Sequence, residues 1–206
     1  DVVITADSTG FQISGNFDGI NGNFGTTGFD FTGAPDPFAV QGDSGANVIT
    51  GGAGDEILVG EGAADTLNGG GGEDRLIGGT GDDSLDGGAG DDVAIYGGSF
   101  ADYVITPVLD GSGAVIGFSS VEDANAGDGD EGTDSLTGIE TLEFADAVFS
   151  VGDPIAVFSD VSKNSLVGLF TSLEAALAAA PTGALIELGA GTYTATGVLT
   201  VDTPVT

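Results

Sequence analysis

A nine-residue period governs the middle of this chain. From Gly42 to Ile95 the sequence divides without a gap into GDSGANVIT, GGAGDEILV, GEGAADTLN, GGGGEDRLI, GGTGDDSLD and GGAGDDVAI. The sixth position holds Asn47, Glu56, Asp65, Asp74, Asp83 and Asp92, and the eighth holds Ile49, Leu58, Leu67, Leu76, Leu85 and Ala94. A fixed short period means a stack of equivalent units, each burying its apolar face only against its neighbours. A flexible glycine–aspartate linker with solvated charges would have no reason to keep an apolar residue in register through six periods.

Charge narrows the chemistry. The chain has 33 acidic and 2 basic residues among 206, with no histidine and no cysteine, for a net charge of −31. Arg75 and Lys163 cannot neutralise a run of phosphates, which excludes nucleic acid as a partner and direct docking on an anionic membrane. Thiol nucleophiles, disulfides, zinc fingers, imidazole bases and most transition-metal sites are excluded by composition. What remains is carboxylate and backbone oxygen, the hard donor set that suits calcium. At 40% apolar residues the chain is far from a disordered acidic tail. No run of 18 apolar residues marks a membrane helix. The start at Asp1, with no initiator Met and no basic-then-apolar leader, is expected of a piece of a longer or processed protein.

The repeats resemble the G-G-x-G-x-D-x-U-x nonapeptides of the RTX (repeats-in-toxin) calcium-binding proteins. The resemblance implies an all-β fold built on a parallel β-roll over residues 42–105. Two nonapeptides form one coil, the turns alternate between two edges, and the residue at position 8 points inward. Glycines at positions 1, 2 and 4 let the turn close around an ion. Six repeats give three coils, and calcium then sits between repeats n and n+2. Four ions are expected, at Asn47/Asp65, Glu56/Asp74, Asp65/Asp83 and Asp74/Asp92. Carbonyls of Gly52, Gly54, Gly70, Gly72, Gly79, Gly81, Gly88 and Gly90 complete shells of about 6–8 oxygens. Asp43 and Asn47 in the first repeat, Glu56 in the second, and Glu61 and Ala63 in the third depart from the pattern. The site joining repeats 1 and 3 is therefore expected to be the poorest, and that joining repeats 4 and 6 the best formed.

The flanks are expected to be β-rich. Tyr96–Ile105 reads as an exit strand, with a degenerate seventh repeat as the alternative. The two alternating runs around Asp110-Gly-Ser-Gly read as a hairpin. Residues 106–154 are expected to cap the roll, because the string D-x-L-x-G-I-E-x-L-x-F-x-D from Asp134 resembles the segment that follows RTX repeats in many secreted proteins. Asp134, Glu140 and Asp146 are expected as solvated face residues, a further ion at the cap being the alternative. The loop Asp123–Asp130 fails as an EF-hand, since Gly127 and Asp128 stand where a ligand and the obligatory glycine belong. Over residues 155–206, Phe170–Pro181 reads as one short helix with Thr171 and Glu174 at capping-box spacing. The strands after it, and those of residues 1–41 (Val2–Thr5 and Phe11–Ser14), resemble coils of right-handed parallel β-helix proteins such as polysaccharide lyases; an antiparallel meander is equally open.

Three function classes remain. Lyase or epimerase chemistry needs a base, an acid and a cation for the intermediate, and three Tyr, one Lys and one Arg supply it poorly. A carboxylate pair for glycoside hydrolysis cannot be singled out. Ligand binding would need an array of threonines beyond Thr192, Thr194 and Thr196. The expectation is a non-catalytic, calcium-dependent structural module of a secreted or cell-surface protein of a Gram-negative bacterium. It would assemble end to end as a fibre, surface layer, biofilm or adhesin repeat. The alternative is a calcium-folded, non-catalytic piece of an extracellular polysaccharide-modifying enzyme.

Overall fold

A computed structural model of the chain describes residues 3–7, 10–14, 20–21, 29–30, 39–111, 114–125, 127, 129–151, 155–158, 166–170, 173–182 and 184–188. The strands before the repeats are β1 (Val3–Asp7), β2 (Gly10–Ser14), β3 (Ile20–Asn21), β4 (Phe29–Asp30) and β5 (Ala39–Gln41). Each repeat contributes one strand: β6 (Val48–Thr50), β7 (Ile57–Gly62), β8 (Thr66–Gly71), β9 (Arg75–Thr80), β10 (Ser84–Ala89) and β11 (Val93–Ile95). There follow β12 (Tyr103–Leu109), β13 (Val115–Asp123), β14 (Thr133–Thr137), β15 (Thr141–Glu143) and β16 (Val148–Ser150). The last elements are β17 (Ile155–Phe158), β18 (Leu166–Phe170), helix α1 (Leu173–Ala179) and β19 (Leu185–Leu188).

The nonapeptide period becomes a roll of two parallel sheets. Strands pair with the strand two repeats away, so that Ile49 faces Leu67 and Leu67 faces Leu85 in one sheet. In the other, Val40 faces Leu58, Leu58 faces Leu76 and Leu76 faces Ala94. Those seven side chains are almost wholly buried and form the core between the sheets. The apolar core comes from position 8, because alternate residues of a strand point to opposite faces and position 8 points between the sheets. The roll extends beyond the six repeats at its start, where β3 pairs with β5 and β4 with β6, both parallel.

At its other end the roll is continued and then covered. β14 adds in parallel to β10, matching Leu85 with Leu136, and β15 adds to β11, matching Ala94 with Leu142. The antiparallel strands β13 and β16 then lie against β14 and β15, so neither roll edge is open there. Tyr96, Phe100, Tyr103, Phe144 and Phe149 close the bottom of the core, with ring centroids 4.5–6.0 Å apart.

The predicted hairpin is β12–β13. Tyr96–Ile105 leaves the roll through a single 3-10 turn at Phe100–Asp102, as an exit segment does. The helix is shorter than predicted: Phe170 belongs to β18, which the strand pairing with β17 claims, and Thr171 lies outside the described residues. At the N-terminus β1 and β2 form an antiparallel hairpin, and β17 pairs antiparallel with β18 and β19. Of the two readings left open for the terminal strands, the antiparallel one describes these; residues 189–206 lie outside the described ones. Among the described residues no helix is long and apolar enough to cross a membrane.

Candidate metal centre

Position 6 is buried in every repeat: Asn47, Glu56, Asp65, Asp74, Asp83 and Asp92 are at most 2% exposed. From the third repeat on, the turn aims this side chain along the stack at the turn one coil before it, whereas Asn47 and Glu56 are turned onto their own loops and accept the N–H of Asp43 and of Gly52. Asp65 Oδ1 accepts the backbone N–H of Asn47 at 2.6 Å, and Asp83 Oδ1 accepts that of Asp65 at 2.7 Å. On the other edge, Asp74 Oδ1 accepts the N–H of Glu56 at 2.7 Å and Asp92 Oδ1 that of Asp74 at 2.8 Å. All four predicted pairs are thus brought together, each joining repeats n and n+2.

Only one oxygen of each carboxylate is used. Glu56 Oε1 and the Oδ2 atoms of Asp65, Asp74, Asp83 and Asp92 are buried without a hydrogen-bond partner. A buried, unpaired carboxylate oxygen is among the costliest arrangements a fold can hold. Here five recur at one repeat position, which marks a shared requirement for a cation rather than a local defect.

The turn backbone faces the same gaps. The carbonyls of Gly52, Gly54, Gly70 and Gly72 are directed at the α-carbons of Gly70, Gly72, Gly88 and Gly90 in the next coil, so closely that a β-carbon there would collide with them. Gly70, Gly72, Gly79, Gly81, Gly88 and Gly90 all have positive φ. The Gly81 and Gly88 carbonyls point toward Gly132 and Gly138. Gly79 and Gly90 occupy the equivalent positions 2 and 4. The Gly52 carbonyl also accepts the N–H of Gly71 at 3.1 Å.

Electrostatics raise the proton affinity of this column. Burial pushes Glu56 up to about 7 and Asp83 and Asp92 up to about 6, with like-charged neighbours adding to the effect. Asp65 and Asp74 are raised for the same leading reason. Arg75, the one cation among the described residues, lies outside the column in a half-exposed pair with Glu143 at 2.9 Å.

The donor set fits calcium: hard oxygens only, in which backbone carbonyls supplement carboxylates. No group of three or more acidic side chains converges among the described residues, so a shell here must draw on the turn carbonyls.

The reading of Asp134 and Glu140 as solvated face residues is corrected. Asp134 is 1% exposed and its Oδ1 accepts the N–H of Asp83 at 2.9 Å. Glu140 Oε2 accepts the N–H of Asp92 at 3.0 Å. Both continue the position-6 ladders, and the signal was present in the sequence: Asp134-Ser-Leu136 and Glu140-Thr-Leu142 repeat the carboxylate-x-apolar triplet. Asp146 is exposed and accepts the N–H of Phe100 at 2.8 Å.

Comparison with known proteins agrees with this geometry. The family model for the RTX calcium-binding nonapeptide repeat (4 copies) matches residues 40–67, 59–94 and 68–104. No curated protein and no solved structure matches the chain. RTX repeats occur in secreted proteins of Gram-negative bacteria, where the β-roll is a structural calcium-binding module. Residues 40–104 of this chain are RTX calcium-binding nonapeptide repeats.

Proposed function

We propose that the chain is a calcium-dependent structural module of a secreted or cell-surface protein, folded by ions held between repeats n and n+2. The ligands are the pairs Asn47/Asp65, Glu56/Asp74, Asp65/Asp83 and Asp74/Asp92, with carbonyls of Gly52, Gly54, Gly70, Gly72, Gly79, Gly81, Gly88 and Gly90. The observation that carries this reading is the set of five buried carboxylate oxygens without partners. Bound calcium supplies positive charge that neutralises the carboxylate column. The chain's own part is to hold each carboxylate by one oxygen on a backbone N–H, leaving the other oriented for the ion. The turn glycines permit the close approach of coils that this requires.

The same reading extends to assembly. Among the described residues β3 and β4 are terminal strands of their sheets, and an edge strand offers backbone groups to another chain. A joint between the end of one unit and the start of the next is heterologous and propagates into filaments. At −31 per chain it must be screened or bridged by cations. Calcium binding by equilibrium dialysis tests the module, and electron microscopy in calcium tests the joint. The reading predicts several bound ions per chain, and elongated assemblies that deletion of residues 184–206 abolishes. No calcium uptake contradicts the module; equally monomeric full-length and truncated chains contradict the joint alone.

A further inference from the structure

Positions 7 and 9 of each nonapeptide point away from the core, and their chemistry differs between the two sheets. On the sheet of β6, β8 and β10 they are Thr50, Thr66, Asn68, Ser84 and Asp86, with Val48 the exception. On the sheet of β7, β9 and β11 they are Ile57, Val59, Ile77, Val93 and Ile95, with Arg75 the exception. The motif is the same in both, so the roll itself has no need of aliphatic side chains there. We propose that this aliphatic outer face is where a second copy of the chain packs, sheet against sheet. The proposal rests on the calcium-formed roll of the preceding reading and is separate from the end-to-end joint.

The face is continuous. Ile57, Arg75, Val93 and Thr141 form one row across β7, β9, β11 and β15, and Val59 and Ile77 stand in register beside it. β16 adds Val148 next to Glu143. Ile57 is 42% exposed and Val148 59%, and the other aliphatic residues of the face are half-buried. Contiguous apolar patches of this kind mark interaction surfaces, whereas scattered ones do not.

Charge selects the occupant. At −31 per chain, two copies repel wherever their acidic edges meet. At positions 7 and 9 of this sheet the charges are Arg75 and Glu143, paired at 2.9 Å, so the face is neutral. The pattern is also self-complementary, as a two-fold contact requires. In the order β16-β15-β11-β9-β7 the middle strand is β11. A two-fold axis along β11 lays β9 of each copy over β15 of the other, and β7 over β16. Arg75 of each copy then lies over the strand that carries the other copy's Glu143, and Val148 is covered at the level of Val59.

The size of the face sets the strength of the contact. Strands about 4.8 Å apart, each three residues long at about 3.3 Å per residue, give a footprint of roughly 24 by 10 Å. That is well below the ~800 Å² per partner of a standard stable complex. The contact is therefore weak between two single chains and adds up where several copies are joined in line.

The test uses the full chain, which has no cysteine of its own, with one cysteine introduced at a time and a short bismaleimide. Val93→Cys lies on the proposed axis, and Thr66→Cys lies at the same repeat position of the other sheet. In saturating calcium Val93→Cys is expected to give about tenfold more linked dimer than Thr66→Cys. Adding Ile77→Asn should remove most of that product. Asn68 already occupies the equivalent position on the other sheet, so the roll accepts the residue. Equal linking at Val93→Cys and Thr66→Cys, or none at either, overturns the proposal, as does linking that Ile77→Asn leaves unchanged. Linked dimers without elongated assemblies support this contact while the end joint fails. A chain that takes up no calcium and stays unlinked overturns both this contact and the module. Should Val93→Cys fail to fold, sedimentation equilibrium of the wild-type chain and of Ile77→Asn decides. A wild-type dimer that Ile77→Asn loses supports the contact, and equal dimerisation, or a wild-type chain that is monomeric throughout, overturns it.

Discussion

Ala63 holds a φ of 68° and Glu61 one of 82°, in the left-handed region, at the positions where later repeats carry glycine. An L-residue there costs about 1–2 kcal/mol, partly offset by a less flexible unfolded chain. Ala63→Gly is therefore expected to raise the stability of the calcium-loaded chain by about 0.5–1 kcal/mol in urea unfolding. Gly72→Ala should lower it by about 2–3 kcal/mol, since Gly72 has a φ of 115° and a methyl group would strike the Gly54 carbonyl. Equal effects of the two substitutions would contradict the assigned register. The ligands are also unequal. The Asn47 side chain is turned onto its own loop, accepting the Asp43 N–H at 2.8 Å, whereas Asp92 keeps a buried free oxygen. Asp92→Ala should raise the calcium midpoint of folding more than Asn47→Ala, and a reversed order would mean the pairing is misassigned.

At the scale of the roll, the carboxylate column links stability to pH in opposite senses with and without metal. Glu56 at about 7 and Asp83 and Asp92 at about 6 lie above the unfolded values of about 4. The folded state therefore takes up protons, and this stabilisation is complete below about pH 4 and lost as pH rises through 6–7. The metal-stripped chain should unfold more easily at pH 8 than at pH 5. In saturating calcium the ion replaces the proton, and stability should rise over the same interval. Glu56→Gln with Asp83→Asn should flatten the metal-free trend. Thermal unfolding at several pH values checks this, and a metal-free chain that gains stability toward pH 8 would contradict it.

The elements differ in how far the chain's letters announced them. The roll was legible because one apolar residue per nine has to reach the core, so Ile49 to Ala94 report the period directly. The hairpin β12–β13 was legible from alternation around Asp110-Gly-Ser-Gly. Asp134 and Glu140 were missed as ladder residues because the insertion of residues 96–128 breaks the period before them. Acidic residues at 130 and 131 then replace the expected turn pattern. The length of α1 was overestimated because Phe170 serves a strand pairing with β17, a long-range contact that local capping signals do not register.

For the whole molecule the decisive term is charge. A chain at −31 opposes its own compaction, and the roll concentrates acidic side chains in two columns while burying one apolar side chain per repeat, Ile49 to Ala94, between its sheets. Each ion that binds the folded state alone adds ~2.7 kcal/mol at a hundredfold excess over its dissociation constant. Under the proposed function, several sites acting together make the fold respond to calcium, open when the ion is scarce and formed when it is plentiful. The insertion, through Tyr96 and Tyr103, packs with Phe144 in the core of the roll and should order with it. Hydrogen exchange of the full chain across a calcium titration reads this directly. The account predicts that at pH 8, where protonation of the column no longer helps, the amides of β6–β11 are unprotected in chelator and gain protection together as calcium rises, with β14 following the same curve. Protection of those amides that is the same in chelator and in millimolar calcium would contradict calcium-coupled folding.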